Sequence, residues 1–158
     1  MIAVIGCGNP NRRDDGVGPA VIRLLKERRV PASSALFFDA GTDGMSVMFA
    51  ARGCRKLIIV DASRIGVEPG AIHIVPGDEL ERAYSPGLNL HDFRWEDALH
   101  AGRQIFKESF PKEVTVFLIE AADLGFGLEL SDAVLRAAAA VASRIEAMIA
   151  PSPDKAAS

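Results

Sequence analysis

The run Lys56-Leu57-Ile58-Ile59-Val60, ended by Asp61, decides the reading of this chain. A short, continuous apolar run rich in β-branched residues fits a strand buried on both faces, as parallel sheets require. Three other runs lead to acids in the same way. Ile2-Ala3-Val4-Ile5-Gly6-Cys7-Gly8-Asn9 is followed by Asp15, Ala35-Leu36-Phe37-Phe38 by Asp39, and Val114-Thr115-Val116-Phe117-Leu118-Ile119 by Glu120. If these are neighbouring parallel strands, their acids converge on one edge of one sheet. In open α/β sheets that edge is where ligands bind. An acidic edge suits a cation or a polarised carbonyl better than a phosphate.

Between the first two runs, Val17, Ala20, Val21, Leu24 and Leu25 recur at helical spacing. Pro19 fits a first helical turn, and Lys26, Arg28 and Arg29 suit the negative end of the helix dipole. The unit is strand–helix–strand. Further on, residues 44–52 fit a short helix with Met45, Met48 and Phe49 inward, and Ala71 to Val75 fits an edge strand, antiparallel in one reading. Residues 79–90 show no period, and Ser85-Pro86-Gly87 marks a loop. A helix over 93–106 would turn Leu99 and Ile105 inward. A last helix, with Ser131 as N-cap, would run through Val134, Leu135, Val141, Ile145 and Met148. Alternating strands and helices predict an α/β fold: a three-layer α/β/α sandwich with a mostly parallel central sheet, phosphorylase/hydrolase-like. The expected organisation is one domain over 1–150 and a frayed tail over 151–158.

Composition narrows the function. With 49% hydrophobic residues, the 158-residue chain can bury a real core. A net charge of −3 with no basic stripe argues against nucleic acid. No apolar run is long enough for a membrane span, and Met1-Ile2-Ala3-Val4 reads as a strand rather than a signal peptide, so the expectation is a cytoplasmic protein. Cys7 and Cys54 match no zinc spacing and no disulfide framework.

The turn Gly6-Cys7-Gly8-Asn9-Pro10-Asn11 begins like a dinucleotide fingerprint, but Asn11 replaces the third glycine. Asp14 and Asp15 then put negative charge where a pyrophosphate would lie. The better reading is a tight turn that brings backbone amides and Asn9 to the sheet edge. One of Asp14 and Asp15 can cap the following helix, which leaves the other free to face a ligand. Asp61, at the end of an apolar strand, must reach solvent, a base or a metal, because a buried unpaired carboxylate is costly. His91 follows in Asn89-Leu90-His91-Asp92-Phe93-Arg94-Trp95, while His73 and His100 read as structural. Asp15, Asp61 and His91 form an oxygen–oxygen–nitrogen set suited to nickel, zinc, manganese or iron, although their spacing matches no compact metal motif.

Taken in order, these segments resemble the maturation endopeptidases of nickel–iron hydrogenases. The matching pieces are Gly6-Cys7-Gly8-Asn9 with Asp14-Asp15-Gly16-Val17-Gly18; Asp39-Ala40-Gly41-Thr42 with Gly44-Met45; Leu57 to Ala62; Leu90-His91-Asp92; and Ile119-Glu120 through Gly127-Leu128 and Leu130-Ser131. Ala40 replaces a common glycine, and Ala121 stands where a proline often follows the glutamate. The resemblance implies an endopeptidase that removes the C-terminal extension of a hydrogenase large-subunit precursor after nickel insertion. Carried over by position, Asp15, Asp61 and His91 contact the metal. Hydrolysis needs an activated water: Asp39, or Asp15 freed from the metal, is a candidate general base, and activation of the water by the metal as a Lewis acid is the open alternative. Gly8, Asn9, Gly41, Thr42 and Glu120 would meet the substrate. Nickel would arrive in the precursor rather than rest in the enzyme, with no organic cofactor. The precursor is the expected partner; nucleic acid and membrane are not. Two alternatives stand beside this reading: a metal-dependent amidase or hydrolase of the same fold, and a non-enzymatic nickel-binding maturation factor.

Overall fold

A computed structural model describes residues 1–30, 35–82 and 94–151. Five strands form one sheet: β1 (Ile2–Cys7), β2 (Ala35–Gly41), β3 (Lys56–Ser63), β4 (Ile72–Pro76) and β5 (Glu113–Glu120), in the spatial order β2-β1-β3-β5-β4. All pair in parallel except β4, which runs antiparallel along β5 at the edge. The helices are α1 (Val17–Glu27), α2 (Gly44–Ala51), α3 (Gly77–Arg82), α4 (Trp95–Phe106) and α5 (Asp132–Ile149).

Alternation along the strands divides the apolar residues between two cores. Ile2, Val4, Ile58, Val60, Phe117 and Ile119 pack under α1 and α5, with Val21, Leu25, Val141 and Ile145. Ala3, Ile5, Leu57, Ile59 and Val116 face the other way, under α2 and α4, with Met48, Trp95 and Leu99. The result is the expected three-layer α/β/α sandwich with a mostly parallel sheet. Where α1 crosses β1 the backbones nearly touch. A Cβ on Gly18 would collide with the Cys7 carbonyl and lie 2.6 Å from the Val60 carbonyl oxygen, so glycine lets the start of α1 sit directly on the site edge.

Several local expectations change. Neither Asp14 nor Asp15 caps α1: its N-cap is Gly16, because the chain first makes a 3-10 turn over Arg13–Gly16. Asp43, unassigned from sequence, caps α2 through bonds from the Met45 and Ser46 amides. In α2 only Met48 of the three expected inward residues is buried; Met45 and Phe49 are exposed. Ile105 in α4 and Leu135 in α5 are exposed too, while Trp95 takes the anchoring position at the start of α4. Helix α3 occupies the start of the stretch read as loop, with Asp78 and Glu79 in its first turn suiting the dipole. The expected loop at Ser85-Pro86-Gly87, His91 and most of the tail lie outside the described residues. No helix among the described residues is long and apolar enough to cross a membrane.

Candidate active site

The strand register decides where each acid points. In a parallel pair, aligned residues share a face. Asp39 aligns with Gly6, and Gly6 aligns with Val60, so Asp39 shares the α1 face. Asp61 is one residue beyond Val60 and therefore faces α2 and α4. There it meets a cavity of about 230 Å3, lined by Cys7, Gly8, Asp15, Gly41, Thr42, Asp43, Gly44, Val47, Asp61, Arg94 and Trp95.

Asp61 is 3% exposed, and both its oxygens accept from described residues. Its Oδ1 accepts from the Ala62 amide at 2.8 Å, and its Oδ2 from Trp95 Nε1 at 2.9 Å and Arg94 Nη2 at 3.4 Å. Burial pushes the carboxyl up to about 6, and Asp15 adds to this, against the opposing pull of Trp95, Arg94 and the Ala62 amide. Asp15 is half-buried at the end of the 3-10 turn. Among the described residues its Oδ2 accepts from the Asn9 amide at 2.8 Å. Gly8 permits this approach: its φ is +125°, and a Cβ there would collide with the Asp15 carbonyl. The Gly8 amide in turn donates to the Gly41 carbonyl at 2.8 Å, which ties the two rims together. The Cys7 thiol is raised well above its ordinary range by burial first and Asp61 second, so it stays protonated and is no nucleophile.

The structure thus brings Asp15, Asp61, Gly8, Gly41 and Thr42 to one cavity. Asn9 contributes its backbone, while its side chain accepts from the Asn11 amide and closes the turn. Asp39 is not brought in. It accepts from the Gly41 amide and lines a separate surface hollow with Pro10, Pro19, Ile22, Arg23 and Lys26. Nor is the Glu120 carboxylate available to a substrate. It is 1% exposed and takes the Ser63 hydroxyl and the Ile65, Gly66 and Val67 amides, so it holds the β3–β4 connection. Those bonds, the Ile65 amide foremost, keep the carboxyl below its usual range. The adjacent Ala121 amide donates to the Ser63 carbonyl at 2.9 Å, a bond that proline at 121 could not make.

Asp14 is likewise structural. It is fully buried and accepts from the Ala122, Asp123 and Ser131 amides and the Ser131 hydroxyl. Burial alone would raise this carboxyl; the Ser131, Asp123 and Ala122 amides outweigh it and hold it low. The Ser131 hydroxyl is thereby drawn to Asp14 and makes no bond to its own helix. Sequence reading missed Arg94 and Trp95 as site residues. The one signal was the lone tryptophan of the chain, four residues after His91.

Among the described residues no three His, Cys, Asp or Glu side chains converge to hold a metal ion. Two carboxylates aimed into one cavity, each with spare acceptor capacity, do suit a divalent cation whose other ligands come from elsewhere. A larger groove of about 540 Å3 runs between α1 and α5 past Leu24, Leu128 and Leu135. Its charged groups, Arg23, Glu27, Glu129 and Asp132, are all exposed, unlike the buried Asp61.

Known proteins share this architecture. The structure superposes on the hydrogenase maturating endopeptidase HybD from E. coli with a TM-score of 0.81 and 25% identity, covering 94% of this chain and 91% of that one. It superposes on a hydrogenase 2 maturation peptidase from Thaumarchaeota archaeon SCGC_AB-539-E09 with a TM-score of 0.70 and 27% identity, over 94% and 97% of the two chains. The fold is that of the hydrogenase maturation endopeptidases. Residues 19–148 match the family model described as hydrogenase maturation protease (HycI), and the chain belongs to that family. It is also similar to the hydrogenase expression/formation protein HupM of Azotobacter chroococcum, 30% identical over 135 residues, or 84% of this chain and 64% of that protein. The coenzyme F420 hydrogenase subunit delta of Methanothermobacter thermautotrophicus is 34% identical over 104 residues, or 63% of this chain and 65% of that one. These two alignments span slightly less than two thirds of the relatives' own length.

Proposed function

We propose that this chain is a cytoplasmic endopeptidase that cuts the C-terminal extension from the nickel-loaded large-subunit precursor of a nickel–iron hydrogenase. Family membership supports peptidase activity on a hydrogenase precursor. The observation that carries the reading is the shared cavity of Asp15 and Asp61, with Asp61 buried and its carboxyl raised to about 6. A strongly perturbed acid in a cleft marks a functional site.

Nickel is part of the substrate in this scheme. Asp15, Asp61 and His91 are the residues proposed to meet it, so affinity depends on nickel insertion being complete. Gly8, Gly41 and Thr42, which line the cavity, would meet the backbone of the extension. Hydrolysis requires water to add to the scissile carbonyl carbon, a base to take the water's proton, and the amine to leave with a proton. Asp15 is the better base of the two candidates, because Asp39 does not line the cavity. Nickel bound in the precursor could polarise the carbonyl or lower the pKa of the water.

Incubation with nickel-loaded precursor, followed by intact-mass measurement, tests this. Loss of the extension mass with the wild-type chain, and no loss with Asp15→Asn, is the expected pair of results. A precursor that is bound but never shortened would instead favour a non-enzymatic nickel-binding role.

A further inference from the structure

The described cavity contains one cation, the Arg94 guanidinium, and it is held loosely. Its Nη2 lies 3.4 Å from Asp61 Oδ2 and its Nε lies 3.9 Å from Glu96 Oε2. A well-formed charge-assisted bond is about 2.8 Å, so neither contact is at full strength. The side chain is 63% exposed, whereas that of Asp61 is 4% exposed. Glu96 Oε2 is itself buried and accepts no hydrogen bond among the described residues. The guanidinium is therefore shared between one acid in the cavity and a second, unsatisfied acceptor just outside it. Glu96, Asp61 and Asp15 all draw on this guanidinium, together outweighing the effect of its partial burial.

We propose that Arg94 is a specificity-determining counter-ion, which neutralises Asp61, disfavours free divalent cations in the cavity, and passes to Glu96 when nickel arrives in the docked precursor. The proposal rests on reading Asp61 as a metal-facing carboxylate. A free ion must displace the guanidinium without help, which lowers its affinity. The precursor brings binding energy of its own from the rest of its surface, so its nickel can displace Arg94 where the free ion cannot. Glu96 Oε2 gives the displaced guanidinium a ready acceptor. Discrimination then comes from a repulsive element as well as an attractive one.

Calorimetric titration of nickel(II) chloride, without precursor, tests this on the full chain. Arg94→Gln should bind free nickel at least about tenfold tighter than wild type. Arg94→Lys retains the cation and should stay within about threefold of wild type, a difference of about 0.6 kcal/mol. The gain should vanish in Arg94→Gln/Asp61→Asn, which places it at Asp61. Equal or weaker nickel affinity in Arg94→Gln, with affinity reduced in Asp61→Asn, would overturn the Arg94 role alone. Nickel affinity unchanged by Asp61→Asn would overturn the metal-facing reading beneath it. A purely structural ion pair predicts a lower melting temperature for Arg94→Gln with no tighter binding, and that result also overturns the proposal.

Discussion

Asp14 and Asp15 are neighbours in the chain and opposites in the fold. Asp14 is fully buried and surrounded by three backbone amides and a hydroxyl, which pin the β5–α5 connection. Asp15, one residue on, accepts one amide among the described residues and opens onto the cavity that holds Asp61. The same contrast separates Glu120 from Asp61 across the β5–β3 pair. Glu120 takes amides from three successive loop residues, while Asp61 takes one amide, an indole and a loosely held guanidinium. Carboxylates supplied with enough N–H donors behave as structural anchors. Carboxylates that line a cleft with fewer donors stay available for a ligand, and at Asp61 burial raises the carboxyl to about 6.

The two kinds of acid should respond oppositely to pH. Asp14 is held below its ordinary range, so its stabilising contribution is present above the unfolded value and is lost as pH falls through the folded one. Asp61 is raised to about 6, so the folded state binds the extra proton and stability falls as pH rises from about 4 to about 6.

The largest expected effect on stability is at Asp14. Asp14→Ala strips the partners from a set of buried amides and should cost about 3–5 kcal/mol. Thermal or denaturant unfolding reads this out, and a loss under 1 kcal/mol would blur the contrast with Asp15. Next is Trp95→Phe, which keeps an aromatic ring but removes the donor at 2.9 Å from Asp61. It should destabilise by about 1–2 kcal/mol. Because that bond holds the Asp61 carboxyl down, its loss should also move the acid limb of kcat/KM for processing upward from near pH 6. A downward or absent movement would argue against Asp61 as the group whose ionisation limits activity. The smallest effect is expected at Asp39. Asp39→Asn should leave processing within about threefold, a change of about 0.6 kcal/mol. A hundredfold loss would return Asp39 to the chemistry.

Much of the fold was legible in the sequence because continuous apolar runs and amphipathic repeats are local signals. Four strand runs, the antiparallel edge at Ile72–Pro76 and the last helix all come through. The site was legible only as far as the sheet edge. Which face each acid takes depends on register, and register is a tertiary property: one residue of offset between Val60 and Asp61 sends Asp39 and Asp61 to opposite faces. Glu120 looked like Asp61 because both close apolar runs, but the loop that wraps its carboxylate, Ile65 to Val67, carries no side-chain signature of that role. Ser131 stands at its N-cap position as read, yet its hydroxyl answers to Asp14, far away in sequence. Trp95 and Arg94 lay beside a quoted histidine and went unassigned because their value is in reaching Asp61 across the cavity.

Asp61→Asn, measured for unfolding and for precursor processing at pH 7, tests the account most directly. Asparagine keeps the shape and removes the buried charge, but its single acceptor oxygen keeps the bond from Trp95 or from Ala62, not both. The lost bond costs the variant equally at every pH, so its stability relative to wild type should improve by about 2 kcal/mol from pH 4 to pH 7. The same variant should leave nickel-loaded precursor at full length. An Asp61→Asn protein whose stability relative to wild type does not improve from pH 4 to pH 7, or that shortens the precursor at the wild-type rate, would contradict this reading.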